Sequence, residues 1–176
     1  MNNDLLKRVE KQLMSEMSRR NIDLVCQMLI DDNNLVPILL KLALQHNNKV
    51  SIRAFWVLEI LSTKLNKPLQ KYIGIIISEL YNVKIEGSLR IITKILMLHN
   101  ITKHEGVLFE FCMLKIESDK TPVAIKANCM SLIFNILPRY PELKDEVFIL
   151  IKDQIPYNNP AFKSRFNKLS KNINLK

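Results

Sequence analysis

The chain has 176 residues, a formal net charge of +9, 48% hydrophobic and 24% charged residues. That usage is globular rather than disordered, and the length suits one domain, 1–176, burying roughly 70% of its unfolded surface without metal or disulfide staples. With only 3 Gly, glycine-rich phosphate loops and folds built on glycine turns are excluded.

Apolar residues recur at spacings of three and four nearly everywhere, and strict alternation is scarce, so the chain reads as helical throughout. The predicted helices run, in chain order, over 3–17, 21–31, 34–46, 49–65, 68–81, 85–99, 103–117, 121–138, 141–154 and 159–173. Asn33-Asn34, Asn47-Asn48, Asn66, Asn82, Asn100 and Asn158-Asn159 mark the breaks. Asparagine caps helix starts and tolerates the left-handed conformation after helix ends. Pro68, Pro122, Pro141 and Pro160 open predicted helices, where a missing N–H costs nothing, whereas Pro138 closes one. The N-terminus lacks the basic start and apolar run of a secretory leader. The longest apolar runs, 73–78 and 130–138, are far too short to span a bilayer. Cys26, Cys112 and Cys129 are odd in number and lie in apolar patterns, which fits buried thiols in a reducing cytoplasm.

The helices read as copies of one unit. Val50, Arg53, Ala54, Val57 and Leu61 are repeated 35 residues on by Ile85, Ser88, Leu89, Ile92 and Leu96. Val123, Lys126, Ala127, Met130 and Phe134 follow after 38 residues, and Phe162, Arg165, Phe166, Leu169 and Ile173 after another 39. A period in the high thirties with two helices per unit is the pattern of an α-solenoid, whose units stack because none has enough core alone. The Val-x-x-Arg-Ala wording at Val50–Ala54, and at Val123–Ala127 with Lys for Arg, resembles HEAT repeats. The expected fold is therefore all-α, a right-handed α–α superhelix of about four to five helix pairs.

The string Arg53-Ala54-Phe55-Trp56-Val57-Leu58-Glu59 resembles a family of small bacterial HEAT-like proteins. So do Tyr140-Pro141-Glu142-Leu143-Lys144 and Asn159-Pro160-Ala161-Phe162-Lys163-Ser164-Arg165. Members of that family sometimes carry the name adenylosuccinate lyase. The lyase's Gly- and Ser-rich loop, Ser-Ser-x-Met-Pro-x-Lys-x-Asn, has no counterpart in this chain, so the activity is not expected.

Catalytic chemistry is hard to find. Gly74, Gly87 and Gly106 stand alone. His46 and His99 fall at predicted helix ends, where an imidazole meets the last carbonyls and the negative end of the dipole. His99, His104 and Glu105 across a turn match no common zinc spacing. Cys129 has no neighbouring base in sequence and reads as an inert thiol. No catalytic residue, metal or cofactor is expected.

The positive charge is uneven. Residues 41–103 hold ten Lys and Arg against three acids, 159–176 hold five basic residues and no acid, and 104–158 are slightly acidic. On a wheel of 100° per residue, Phe162, Phe166, Leu169 and Ile173 cluster within about 60°, opposite Lys163, Arg165, Lys168 and Lys171. That is the pattern of a helix capping a stack. Abundant Lys, Asn and Ile also suggest an A- and T-rich genome. Arg53, Lys126 and Arg165 occupy equivalent repeat positions, interrupted by Ser88. Such a basic ladder could follow a phosphate backbone, as in HEAT-like alkylpurine DNA glycosylases. The alternative function is thus a nucleic-acid-binding protein of the DNA-repair type. Bases need aromatic stacking partners, however, and Trp56 is the only tryptophan.

Trp56 carries the sharper expectation. Val50, Ala54, Val57 and Leu61 form one face of its helix, while Ile52, Trp56, Glu59 and Thr63 form another roughly 150° away. Either the helix is buried on both sides or the second stripe lines the concave surface, continued by Ile91 and Lys94 and then Cys129 and Leu132. A mostly apolar patch rimmed by Glu59 and Lys94 suits a protein or peptide better than a phosphate backbone. The reading that follows is a cytoplasmic, non-catalytic interaction module binding through Ile52, Trp56, Glu59, Ile91 and Lys94.

Overall fold

The computed structural model describes residues 3–45, 48–65 and 67–173, with the side chains of residues 3, 172 and 173 outside the description. His46, Asn47, Asn66 and the side chain of Ile173, all singled out above, therefore lie outside the described residues. Eleven α-helices and no strand are found among the described residues: α1 (Asn3–Ser15), α2 (Arg19–Asp31), α3 (Val36–Ala43), α4 (Lys49–Lys64), α5 (Lys67–Gln70), α6 (Ile73–Ser78), α7 (Glu86–Met97), α8 (Glu105–Glu117), α9 (Val123–Ile136), α10 (Lys144–Gln154) and α11 (Pro160–Ile173). The fold is an all-helical α–α repeat, as its periodicity implies. It divides into two compact units, the first ending at Ile101 and the second starting at Thr102.

Helix starts follow the capping chemistry. Ser18 Oγ accepts the Asn21 N–H at 3.1 Å to open α2, and Asn48 Oδ1 accepts the Ser51 N–H at 2.7 Å to open α4. Asn159 Oδ1 accepts the Phe162 N–H at 3.3 Å, with Pro160 as the first residue of α11. Three predicted helices are shorter than their pattern. Asn33–Leu35 is a 3-10 turn leading into α3, with Asp32 Oδ1 accepting the Asn34 N–H at 3.0 Å. Pro141–Leu143 is likewise 3-10, leading into α10, and Leu137–Arg139, containing Pro138, closes α9. The stretch expected as one helix over 68–81 is broken at Lys71-Tyr72 into α5 and α6. Gly74 and the β-branched residues Ile73, Ile75, Ile76 and Ile77 are weak helix formers. Leu69, Ile73, Ile76, Ile77 and Leu80 are nevertheless all buried, so packing rather than propensity holds this segment.

In the first unit α3 and α4 pack as a pair, with α1 and α2 before them and α7 beside α4. α3 is buried almost all round, through Val36, Ile38, Leu39, Leu40, Leu42 and Ala43. The repeat register is visible in the core: Ala54, Val57 and Leu61 of α4 and Leu89, Ile92 and Leu96 of α7 are all buried. In the second unit α8 packs on α9 and α10, and α9 on α11. Lys126, Met130, Phe134, Phe162 and Phe166 are the buried repeat positions there among the described residues. Phe134, Phe148 and Phe166 form a three-ring cluster with centroids 5.3–6.2 Å apart, joining α9, α10 and α11.

Candidate functional site

α4 and α7 lie side by side in the first unit, and each uses its repeat face for the core. Their second faces meet at the surface. Ile52, Trp56 and Glu59 of α4 and Ile91 and Lys94 of α7 are all half-buried, neither withdrawn into the core nor fully solvated. Lys94 Nζ donates to Glu59 Oε1 at 3.1 Å, which bridges the two helices and brings the two stripes together. The pair is partly exposed and therefore contributes little to stability. Its effect on the patch is to neutralise the charge at one edge of an apolar strip.

The basic positions of the repeat have separate employment. Arg53 Nη1 donates to the carbonyls of Leu13 at 3.1 Å and Glu16 at 3.4 Å, so its guanidinium serves the C-terminal end of α1. Lys126 is buried, and its ammonium donates to Gln154 Oε1 at 3.2 Å. Burial pushes its pKa down, partly opposed by the carboxylate of Asp119. Arg165, on the outer side of α11, is exposed. Within the second unit the two equivalent positions thus differ in kind, one holding two helices together and one facing water.

The histidines and cysteines complete the inventory of reactive groups. His99 is buried, with Nδ1 3.2 Å from Gln70 Oε1 and Nε2 3.0 Å from Ser62 Oγ. Gln70 is held in place by the backbone of Asn100, donating to its carbonyl at 2.7 Å and accepting its N–H at 3.2 Å. This network ties the end of α7 to α4 and α5. Burial lowers the His99 pKa, so the ring is neutral near pH 7. His104 precedes α8 with a left-handed backbone, φ 63°, and Glu105 forms an ion pair with Arg139 at 2.6 Å. A hydrogen bond to Glu105 holds the Tyr140 phenol above its ordinary range. Cys26, Cys112 and Cys129 are free and buried; burial raises the thiol pKa of Cys26 and of Cys112, the latter also hydrogen-bonded to Cys129. Among the described residues no group of three or more His, Cys, Asp or Glu is placed to hold a metal ion.

The His99–Ser62–Gln70 network and the role of Arg53 escape sequence reasoning, because both depend on residues 29 to 40 positions away. A helix-end histidine and a buried-face serine were the only local signals.

A family model described as a HEAT repeat domain matches residues 9–173, nearly the whole chain. Searches of curated proteins and of solved structures return no similar chain. Among the described residues no helix is long and apolar enough to cross a membrane.

Proposed function

The chain belongs to the HEAT repeat family, and from that premise we propose that it is a non-catalytic interaction module receiving a protein or peptide segment on the α4–α7 face. In a HEAT stack the second helix of each pair lines the concave side, and α4 and α7 are second helices. One observation carries the reading: Ile52, Trp56 and Ile91 remain half-buried on helices that already bury a complete apolar face. Core packing does not require a second apolar stripe there. Tryptophan is enriched among interface anchors because it offers large contact area with few rotatable bonds. The Glu59–Lys94 pair leaves the edge of the strip polar yet near neutral, which favours a peptide over a phosphate backbone. Arg53, the nearest repeat cation, is already spent on the carbonyls of α1. We place the protein in the cytoplasm, on the strength of its buried free thiols.

Trp56 is the only tryptophan, so tryptophan emission reports on this patch alone. Peptides selected on the wild-type chain should shift that emission on binding. They should lose roughly 2 kcal/mol or more of affinity, about thirtyfold, against Trp56→Ala. The variant itself should lose little stability. If Trp56→Ala instead costs about 3–5 kcal/mol of folding free energy, as a cavity would, or no selected peptide depends on Trp56, the reading falls.

A further inference from the structure

The second unit carries a different surface. α8 and α10 pack against each other, and each turns its apolar side inward: Leu108, Phe111, Cys112 and Ile116 on α8, Val147 and Ile151 on α10. Each also presents large aliphatic side chains to water, Leu114 at 50% exposure with Val107 two turns before it on α8, and Ile149 at 62% on α10. Leu114 and Ile149 are flanked, one turn before and one turn after, by exposed carboxylates. On α8 the stripe reads Glu110, Leu114, Glu117; on α10 it reads Glu146, Ile149, Asp153.

Folding does not call for this arrangement. Glu117 is the last residue of α8 and Asp153 lies in the last turn of α10, where a negative charge opposes the helix dipole. An exposed isoleucine is also a poorer helix former than the lysine or glutamate a solvated position could hold. The two half-buried lysines on these helices lean onto aromatic rings, Lys115 at 5.2 Å from the centre of Phe111 and Lys144 at 5.6 Å from that of Phe148. Lys152 is the exposed cation at the border of the α10 stripe. The surface is thus locally acidic on a chain whose net charge is +9.

We propose that the α8–α10 face docks a cationic amphipathic segment of another protein, its aliphatic side chains covering Leu114 and Ile149 and its Lys or Arg residues meeting Glu110, Glu117, Glu146 and Asp153. Charge complementarity decides the occupant. An acidic or neutral segment would leave carboxylates desolvated without partners, whereas a basic one gains attraction and long-range steering. A second copy of the chain offers a poorer fit. The basic outer side of α11 sets Lys163, Arg165, Lys168 and Lys171 among Ala161, Ser164 and Asn167, with no large exposed aliphatic among its described residues to cover Leu114 or Ile149. This site is separate from the Trp56 stripe and does not depend on it.

The probe is a fluorescent amphipathic peptide of about eighteen residues, roughly 27 Å as a helix, with leucine on one side and lysine on the other. Anisotropy with the full chain should show saturable binding that weakens as salt rises. Neutralising Glu110, Glu117, Glu146 and Asp153 together (to Gln or Asn) should weaken it about tenfold or more. Leu114→Ser with Ile149→Ser should weaken it several-fold, with helicity by circular dichroism unchanged. Trp56→Ala and Lys168→Gln should leave it as it was. The proposal is overturned if a peptide with serine in place of leucine binds equally well, since that is bulk charge attraction only. It is overturned equally if Trp56→Ala abolishes binding. If the chain self-associates with rising concentration and the fourfold neutralised variant does not, the occupant is a second copy and the assignment to a partner segment is wrong.

Discussion

Asn21 is the residue whose replacement tests the account of the first unit most directly. It is buried, and its amide Nδ2 faces the carbonyls of Gln12 at 3.0 Å, Glu16 at 2.9 Å and Leu13 at 3.4 Å. Its Oδ1 accepts from Gln12 Nε2 at 2.9 Å and Ser15 Oγ at 3.4 Å. One side chain thus shares the C-terminal carbonyls of α1 with two other donors, Ser15 Oγ on Gln12 at 2.8 Å and Arg53 on Leu13 and Glu16. Asn21→Ala leaves these acceptors without their shared donor. With Arg53 and Ser15 still in place, losing the Nδ2 and Oδ1 hydrogen bonds at about 0.5–1.5 kcal/mol each should cost about 2–4 kcal/mol. For a chain of this size that is a fall in Tm of roughly 6–12 °C. Asn21→Asp keeps the shape but aims a carboxylate at carbonyl oxygens, so at neutral pH it should cost more than alanine. Its deficit should shrink on acidification, because the protonated acid regains one donor. Urea unfolding of the full chain gives the stabilities, and hydrogen exchange in α1 and α2 localises the loss. An Asn21→Ala variant within about 0.5 kcal/mol of wild type, or an aspartate less damaging than alanine at pH 7, would refute the reasoning.

The buried groups give further outcomes. Because burial lowers the His99 pKa below its ordinary value of about 6.5, the unfolded chain takes up that proton first. Stability should therefore decline as pH falls below about 6.5 and level off once the folded ring also titrates, a slope that His99→Gln should reduce in urea midpoints taken across the range. Lys126 titrates at the other end, its pKa also lowered, so stability should rise as pH climbs from its folded value toward the ordinary lysine value of about 10.4. Lys126→Met should flatten that rise and at neutral pH should be neutral or stabilising by up to about 1 kcal/mol, read from the same titrations. Removing the chain from Asn159 onward should uncover Phe134 and Phe148, so that light scattering detects aggregation; a soluble, equally stable truncation would make α11 an appendage.

Helix identity and repeat register were readable because both rest on local periodicity. The template positions of Ala54, Val57 and Leu61 recur as buried residues at Leu89, Ile92, Leu96, Met130, Phe134 and Phe166, with Ala127 and Leu169 half-buried, since a stacked α–α unit buries the same face each time. Helix ends were less readable. Pro138 and Pro141 bracket a stretch in which 3-10 turns replace the last and first turns of two helices. Apolar spacing cannot see that substitution, because a three-residue and a nearly four-residue period agree over one turn. The break at Lys71-Tyr72 was hidden for a related reason. The isoleucines beyond it keep an apolar spacing that either one helix or two short ones would bury.

The surface was harder to read than the core, because a repeat position dictates which way a side chain points and not what stands in front of it. Arg53 and Lys126 have the same register, yet one meets the exposed carbonyls ending α1 and the other an amide on α10. Counting charge in windows along the sequence fails for the same reason. Residues 104–158 look only slightly acidic because Lys115 and Lys144, which lie over rings, and the buried Lys126 offset acids arithmetically. With Lys126 buried and Lys115 and Lys144 half-buried over their rings, the fully exposed charged side chains of α8 and α10 are Glu110, Glu117, Asp145, Glu146 and Asp153 against Lys152. A partner senses the exposed charge and not the sum. On this chain the difference separates a weakly charged segment from an acidic surface on a basic protein.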